Sequence, residues 1–246
     1  MDDNNDTINM SKNNQLSVFQ KLVLIFTNPA KVFEDIIINP NWLIPTIIII
    51  IIAIGSSFLI YDIQLEAQKD SFLKNENIPD EQKNLIIDRF AEAKESATRM
   101  VQPIIAIVLI TFVSFTAVAG IFLLVGNYLF GGKAKYTQVL AVYAWGYMVA
   151  IPEAIVKIPM VLAKNSIHVY TSLALLFDPK ESDTVLFKIA NAVDLFSIWR
   201  LALWAIGLGV IYKFSKEKSN YIVIGLYAIY VFAYIGISSI FGGLIG

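Results

Sequence analysis

The sequence predicts an all-α polytopic membrane protein. The expected architecture is a bundle of five transmembrane helices, with N-terminal interfacial helices and an extramembrane helical hairpin between spans one and two. Four observations predict it. Hydrophobic residues make up 57% of the chain and charged residues only 16%, against roughly 45–50% and about 25% in soluble domains. Mean hydropathy is +0.63. Apolar segments at 42–61, 102–126, 137–162, 194–213 and 220–244 each reach the roughly 20 residues that a bilayer core of about 30 Å requires. Short basic connectors alternate with longer connectors of mixed charge.

Residues 1–15, beginning MDDNNDTINM, read as a disordered acidic tail. They lack the basic start and short apolar core of a cleaved signal peptide, so insertion is expected to use the spans themselves. Residues 16–41 read as cytoplasmic interfacial helices. In LSVFQKLVLIFTNP the polar positions Ser17, Gln20, Lys21, Thr27 and Asn28 form one wet stripe. Asn28-Pro29 restarts a helix in which Lys31, Glu34 and Asp35 oppose Val32, Phe33, Ile36 and Ile37. Both pieces are too short to span and suit the membrane surface; packing of the same helices on the end of the bundle is compatible with that. Lys21, Lys31 and Phe33 are the candidate cytoplasmic interface.

The five-span membrane domain occupies 42–246. Its first connector, 62–101, reads as a solvated helical hairpin. Pro79 sits where a helix can begin, and Asp80 and Glu81 follow in the first turn, matching the macrodipole. Ile86, Phe90, Ala93 and Ala97 then make one seam. Connector 163–193, with HVYTSLALLF and VLFKIANAV, is too short to cross and reads as an outer-surface segment. Connectors 127–136 and 213–220 carry Lys133, Lys135, Lys213, Lys216 and Lys218 against the single acid Glu217. By the positive-inside rule they are cytoplasmic. The N-terminus is then inside and the C-terminus outside, in the cytoplasmic membrane of a bacterium.

Composition also excludes functions. The net charge is −1, and without a Lys/Arg run nothing points to nucleic acid. Cysteine is absent and His168 is the one histidine, which removes thiol chemistry and His-rich metal centres. No metalloprotease or nucleophile-elbow motif occurs. Tyr61-Asp62 lacks a second aspartate in a Gly-x-Gly-Asp setting, and Gly131-Gly132 reads as a turn. No catalytic residue, metal site or cofactor is expected. Small residues four apart, Ala205/Gly209, Thr116/Gly120 and Ser239/Gly243, suit packing within the bundle in preference to dimerisation. A homo-oligomer stays open as a partner, beside the lipid bilayer and protein partners on the cytoplasmic face.

One run breaks the apolar pattern. Span three, YAWGYMVAIPEAIVKIP, holds Pro152, Glu153 and Lys157, and span four holds Arg200. Charges in lipid are costly and mark sites by default, so these four residues form the candidate intramembrane polar site. Counting 1.5 Å per residue from the outer boundary puts Glu153 about 12 Å deep and Arg200 roughly 9–10 Å deep. The two can therefore pair. Lys157, one turn farther out, can snorkel or share Glu153, and Pro152 should kink span three because it cannot donate to the Met148 carbonyl.

The order of parts resembles a known family. NPAKVFEDIIINPNWLIP precedes the spans, and the basic turn GNYLFGGKAKY leads into a span with IP at its middle. The fourth span begins DLFSIWRLALWAIGLG. Together, over about residues 25–244, these resemble the Yip-one domain, the membrane domain of Ypt/Rab-interacting proteins, and its prokaryotic-type members best. The resemblance implies a link to vesicle trafficking and Rab-type GTPases for eukaryotic members, and no settled activity for prokaryotic ones. The expectation is a non-catalytic membrane organiser or adaptor, linked to membrane trafficking or membrane-protein assembly. The alternative is a small transporter or channel using the Pro-broken third span with Glu153 and Arg200.

Overall fold

The computed structural model describes residues 15–75, 78–182 and 184–245, with side chains as far as Ser238 except that of Pro179. The predicted acidic tail, 1–15, lies almost wholly outside the described residues. Among the described residues the regular structure is helical, apart from one isolated antiparallel bridge between Ser172 and Asp194. The helices are α1 (Val18–Thr27), α2 (Pro29–Ile38), α3 (Leu43–Lys74), α4 (Asp80–Glu95), α5 (Val101–Leu124), α6 (Tyr136–Gly146), α7 (Ala150–Lys164), α8 (Val185–Ala192), α9 (Leu195–Tyr212) and α10 (Lys216–Ile245). Five stretches are long and apolar enough to cross a membrane: α3, α5 with its π-helical end to Leu129, α6 with α7, α9, and α10. The chain is an all-α, multi-pass integral membrane protein.

The chain divides into two compact units. The first comprises 1–47, 114–148 and 201–222. Its N-terminal helices are set by local chemistry. Ser17 caps α1 reciprocally: its hydroxyl accepts from the Gln20 N–H, and its own N–H donates to the Gln20 side chain. Pro29 opens α2, where a missing N–H costs no helical bond. Ile25, Val32, Phe33 and Ile36 are fully buried, as are Val139, Ala141, Ala144 and Trp145 of α6. Gln138 donates to the carbonyl of Ile37 at 2.9 Å, joining α6 to α2. Tyr143 stacks on Trp204 with ring centres 4.7 Å apart, while Phe115 meets Tyr143 edge-on at 4.9 Å. Trp204 also donates its indole N–H to the Tyr143 carbonyl at 3.1 Å. The basic turn is closed by Asn127, whose amide exchanges two hydrogen bonds with the Ala134 backbone. Gly131 supplies the left-handed φ of +70° that the turn needs.

This unit corrects the reading of the N-terminal interface. Lys21 and Phe33 are completely buried, and of the three candidates only Lys31 is exposed. Ser17, Gln20, Thr27, Asn28 and Glu34 are exposed as the stripe predicts, and apolar side chains are exposed with them: Phe19 is 75% and Ile38 is 74% exposed, and Val23 and Ile37 are exposed too. The stripe was read from polarity alone, which cannot show that Lys21 has a carboxylate waiting on the next helix.

The second unit comprises 48–113, 149–200 and 223–246. Within it α3 leaves helical geometry at Ile60 (φ −116°, ψ 15°), where the sequence turns from apolar to YDIQ, and continues to Lys74. After Pro79, α4 returns, with Asp80 and Glu81 in its first turn. Phe90 lies 6.1 Å from Phe72, ring centre to ring centre, so α4 packs back against α3, while Ala97 of the predicted seam lies beyond α4 and is exposed. Connector 163–193 folds as short 3-10 turns and α8, with Tyr170 and Phe177 edge-on to Phe187. Tyr227 fixes α8 to α10 by donating to the Ala192 carbonyl at 2.8 Å.

The small-residue pairs divide. Ala205 is buried, and a Cβ at Gly209 would come 3.2 Å from the Ser219 hydroxyl, which is packing within one unit. Gly120 faces open space. Ser239 and Gly243 lie outside the described side chains.

Candidate functional site: an intramembrane charge cluster

Span three does more than kink. Tyr147–Val149 forms a 3-10 turn, and a new helix, α7, starts at Ala150. Pro152 therefore sits in a first turn, where backbone N–H groups have no helical acceptor, and its missing donor removes no bond there. Pro159 is the proline inside α7. The restart puts Glu153 and Lys157 on one face, four residues apart, with the acid N-terminal to the base, the favourable order.

Glu153 is held from two sides. Its Oε2 accepts from Arg200 Nη2 at 2.8 Å, and its Oε1 accepts from Lys157 Nζ at 2.7 Å. Lys157 also reaches Asp194 Oδ2 at 3.4 Å and lies 5.6 Å from the centre of the Phe196 ring. The result is a chain of alternating charge, Arg200–Glu153–Lys157–Asp194, with two cations and two anions. The structure thus brings the predicted Glu153, Lys157 and Arg200 into contact, with Pro152 beside them in sequence.

Asp194 is the member the sequence reading missed. Its Oδ1 caps α9 by accepting from the N–H groups of Phe196 and Ser197, at 2.9 and 3.2 Å. Its Oδ2 accepts from the Thr171 hydroxyl. The Ser172–Asp194 bridge fixes the strand-like approach, through Leu173 N–H to the Val193 carbonyl and Leu195 N–H to the Thr171 carbonyl, both 3.2 Å. The signal was present: an aspartate directly before an apolar helical run is a helix-start signature. Nearby, burial raises the pKa of the Tyr170 phenol above its ordinary value.

The first unit holds a second polar site. Lys21 Nζ lies 2.5 Å from Asp35 Oδ2 and donates to Asn41 Oδ1 at 3.3 Å. Asp35 Oδ1 accepts from the Leu16 N–H at 2.9 Å, and the Trp145 indole donates to Asn41 at 3.2 Å. The Lys21 ammonium also faces the Trp145 ring at 5.9 Å. Among the described residues no His/Asp/Glu group is arranged to hold a metal ion.

The model of the Yip1 domain matches residues 23–239, most of the chain. The chain belongs to the Yip1 domain family. No curated protein and no solved structure matches it. Both polar sites of this Yip1 domain are built mainly from the matched region, with only Leu16 and Lys21 contributed from before it.

Proposed function

We propose that this Yip1 domain is a non-catalytic membrane organiser or adaptor. It acts through protein partners at its cytoplasmic face, in membrane trafficking or membrane-protein assembly. The observation that carries this reading is the closure of the charge cluster. Glu153, Lys157, Asp194 and Arg200 neutralise one another, two against two, so the polar set serves as a structural clamp. The partner surface is then on the N-terminal helices, where Phe19, Val23 and Ile38 are exposed together with Lys31; its apolar side chains also suit the membrane interface. Under this reading 16–41 is an interfacial region ahead of a membrane domain over 42–246. The N-terminus is cytoplasmic and the C-terminus outside, in a bacterial inner membrane.

Crosslinking and co-purification from native membranes should recover a protein partner, and Phe19→Ser with Lys31→Glu should lose it. The opposing reading, a small transporter or channel, is favoured by the break at Tyr147–Val149 next to Glu153. Vesicles containing the purified protein decide between them. Ion flux that Glu153→Gln abolishes would replace the adaptor reading. For orientation, cysteines at Lys74 and Lys133 should label from opposite sides, and same-side labelling would remove the proposed topology.

A further inference from the structure

The second unit contains a groove of ≈ 720 Å³ between α3, α4 and α5 that neither polar site uses. Its lining is mixed in chemistry. Arg89, Arg99 and Gln102 supply polar groups, and Ile105, Ala106 and Leu109 of α5 supply apolar ones. Among the described residues no carboxylate is part of the lining. Arg99 is steadied by Asp62 at 3.6 Å and by the Lys94 carbonyl at 3.2 Å. Among the described residues no carboxylate pairs with Arg89.

We propose that this groove binds an anionic phospholipid, with the phosphate at Arg89 and Arg99 and an acyl chain along Ile105 and Leu109. The position fits an amphiphile. α5 enters the apolar span at Val101–Gln102, and Leu109 lies about 10 Å farther along at 1.5 Å per residue, so the groove passes from polar stalk into the hydrocarbon depth. A guanidinium suits a phosphate because its planar N–H donors match the phosphate oxygens. A zwitterionic headgroup is matched less well. A choline or ethanolamine cation would want a free carboxylate or an open aromatic face, whereas Asp62 is engaged by Arg99 at 3.6 Å and the Tyr61 face is covered by Arg99 at 5.4 Å. The inference is independent of the adaptor reading and rests on the membrane-spanning assignment of α3 and α5.

The test is titration of the full-length, detergent-purified protein with phosphatidylglycerol and phosphatidylcholine of matched chains, read by native mass spectrometry. Phosphatidylglycerol should bind roughly thirtyfold more tightly, the scale expected for two basic groups near a lipid surface. Arg89→Gln with Arg99→Gln should reduce it to the phosphatidylcholine level. Leu109→Trp, which fills the apolar part and leaves the arginines intact, should weaken both lipids. If the double variant loses its helical circular dichroism, Arg89→Gln alone serves, with a several-fold loss for phosphatidylglycerol and none for phosphatidylcholine. Equal affinity for the two lipids in the unaltered protein, or a preference that survives loss of the arginines, would overturn the proposal. Displacement of the lipid by glycerol phosphate at equal concentration would overturn the amphiphile assignment and leave a simple anion site.

Discussion

At Lys21 the ammonium is enclosed, with 1% of its side chain exposed, and among the described residues its ion pair is with Asp35. At Glu153 the carboxylate is 23% exposed and shared between Arg200 and Lys157, and Lys157 has Asp194 in reserve. The first arrangement completes its charges with neutral groups: the Leu16 N–H donates to Asp35, and the Asn41 side-chain oxygen accepts from Lys21. The second completes them with more charge. An isolated buried pair has no substitute when one partner goes, whereas an alternating chain leaves each loss partly screened by the remaining members. The difference teaches that the site looking most functional in sequence is the better buffered one, and that the N-terminal pair is the more fragile.

The sharpest way to break that comparison is Lys21→Met. It strands Asp35 away from water, and the loss should be about 3–5 kcal/mol, as for other broken buried pairs, measured as unfolding in detergent. Lys21→Met with Asp35→Leu should recover much of it, because no charge is then left unpaired. A loss no larger than that of the exposed Lys31→Met would end the argument that Lys21 is a clamp.

A smaller effect should follow from Gly146→Ala, next to Trp145. The added methyl would land on the Trp204 ring, and overpacking of this kind costs about 1–3 kcal/mol. Thermal melting checks it. Because no charge changes, the variant separates packing around Trp145 from the electrostatics of Lys21.

The smallest effect concerns Asp194, which is both cap and cluster member. Asp194→Asn keeps a side-chain oxygen for Phe196 and Ser197 and removes the charge that Lys157 holds second. Asp194→Ala removes both, and should be less stable than the Asn variant by about 1 kcal/mol, the usual worth of a helix cap. Equal stability of the two would mean that capping contributes nothing at this end of α9.

What was legible in the sequence followed from long-range apolar character. The five spans could be placed to within a few residues at most ends, because runs of about 20 apolar residues have few other uses. Pro79 and its acidic neighbours marked the start of α4. The contact between Glu153 and Arg200 was readable from depth, since neighbouring spans put equal depths side by side. Asp194 was overlooked because it was scored as a boundary when it was also a charge. Lys21 was misread for a different reason. A helical stripe reports which residues share a face but cannot say what covers that face. Its partner Asp35 lies on another short helix, and the Asn41–Trp145 bond that completes the site joins residues far apart in the chain. The restart after Val149 was expected only as a kink, because a proline signals a broken hydrogen bond and leaves open whether the chain bends or begins a new helix.

The claim that the intramembrane charges form a closed clamp rests on the contact between Glu153 and Arg200. A mutant cycle of Glu153→Gln, Arg200→Gln and the double change, followed by detergent unfolding, measures that contact directly. The clamp predicts strong coupling, within the roughly 0.5–3 kcal/mol seen for touching residues, and a double variant more stable than the worse single one. Losses that simply add would contradict it.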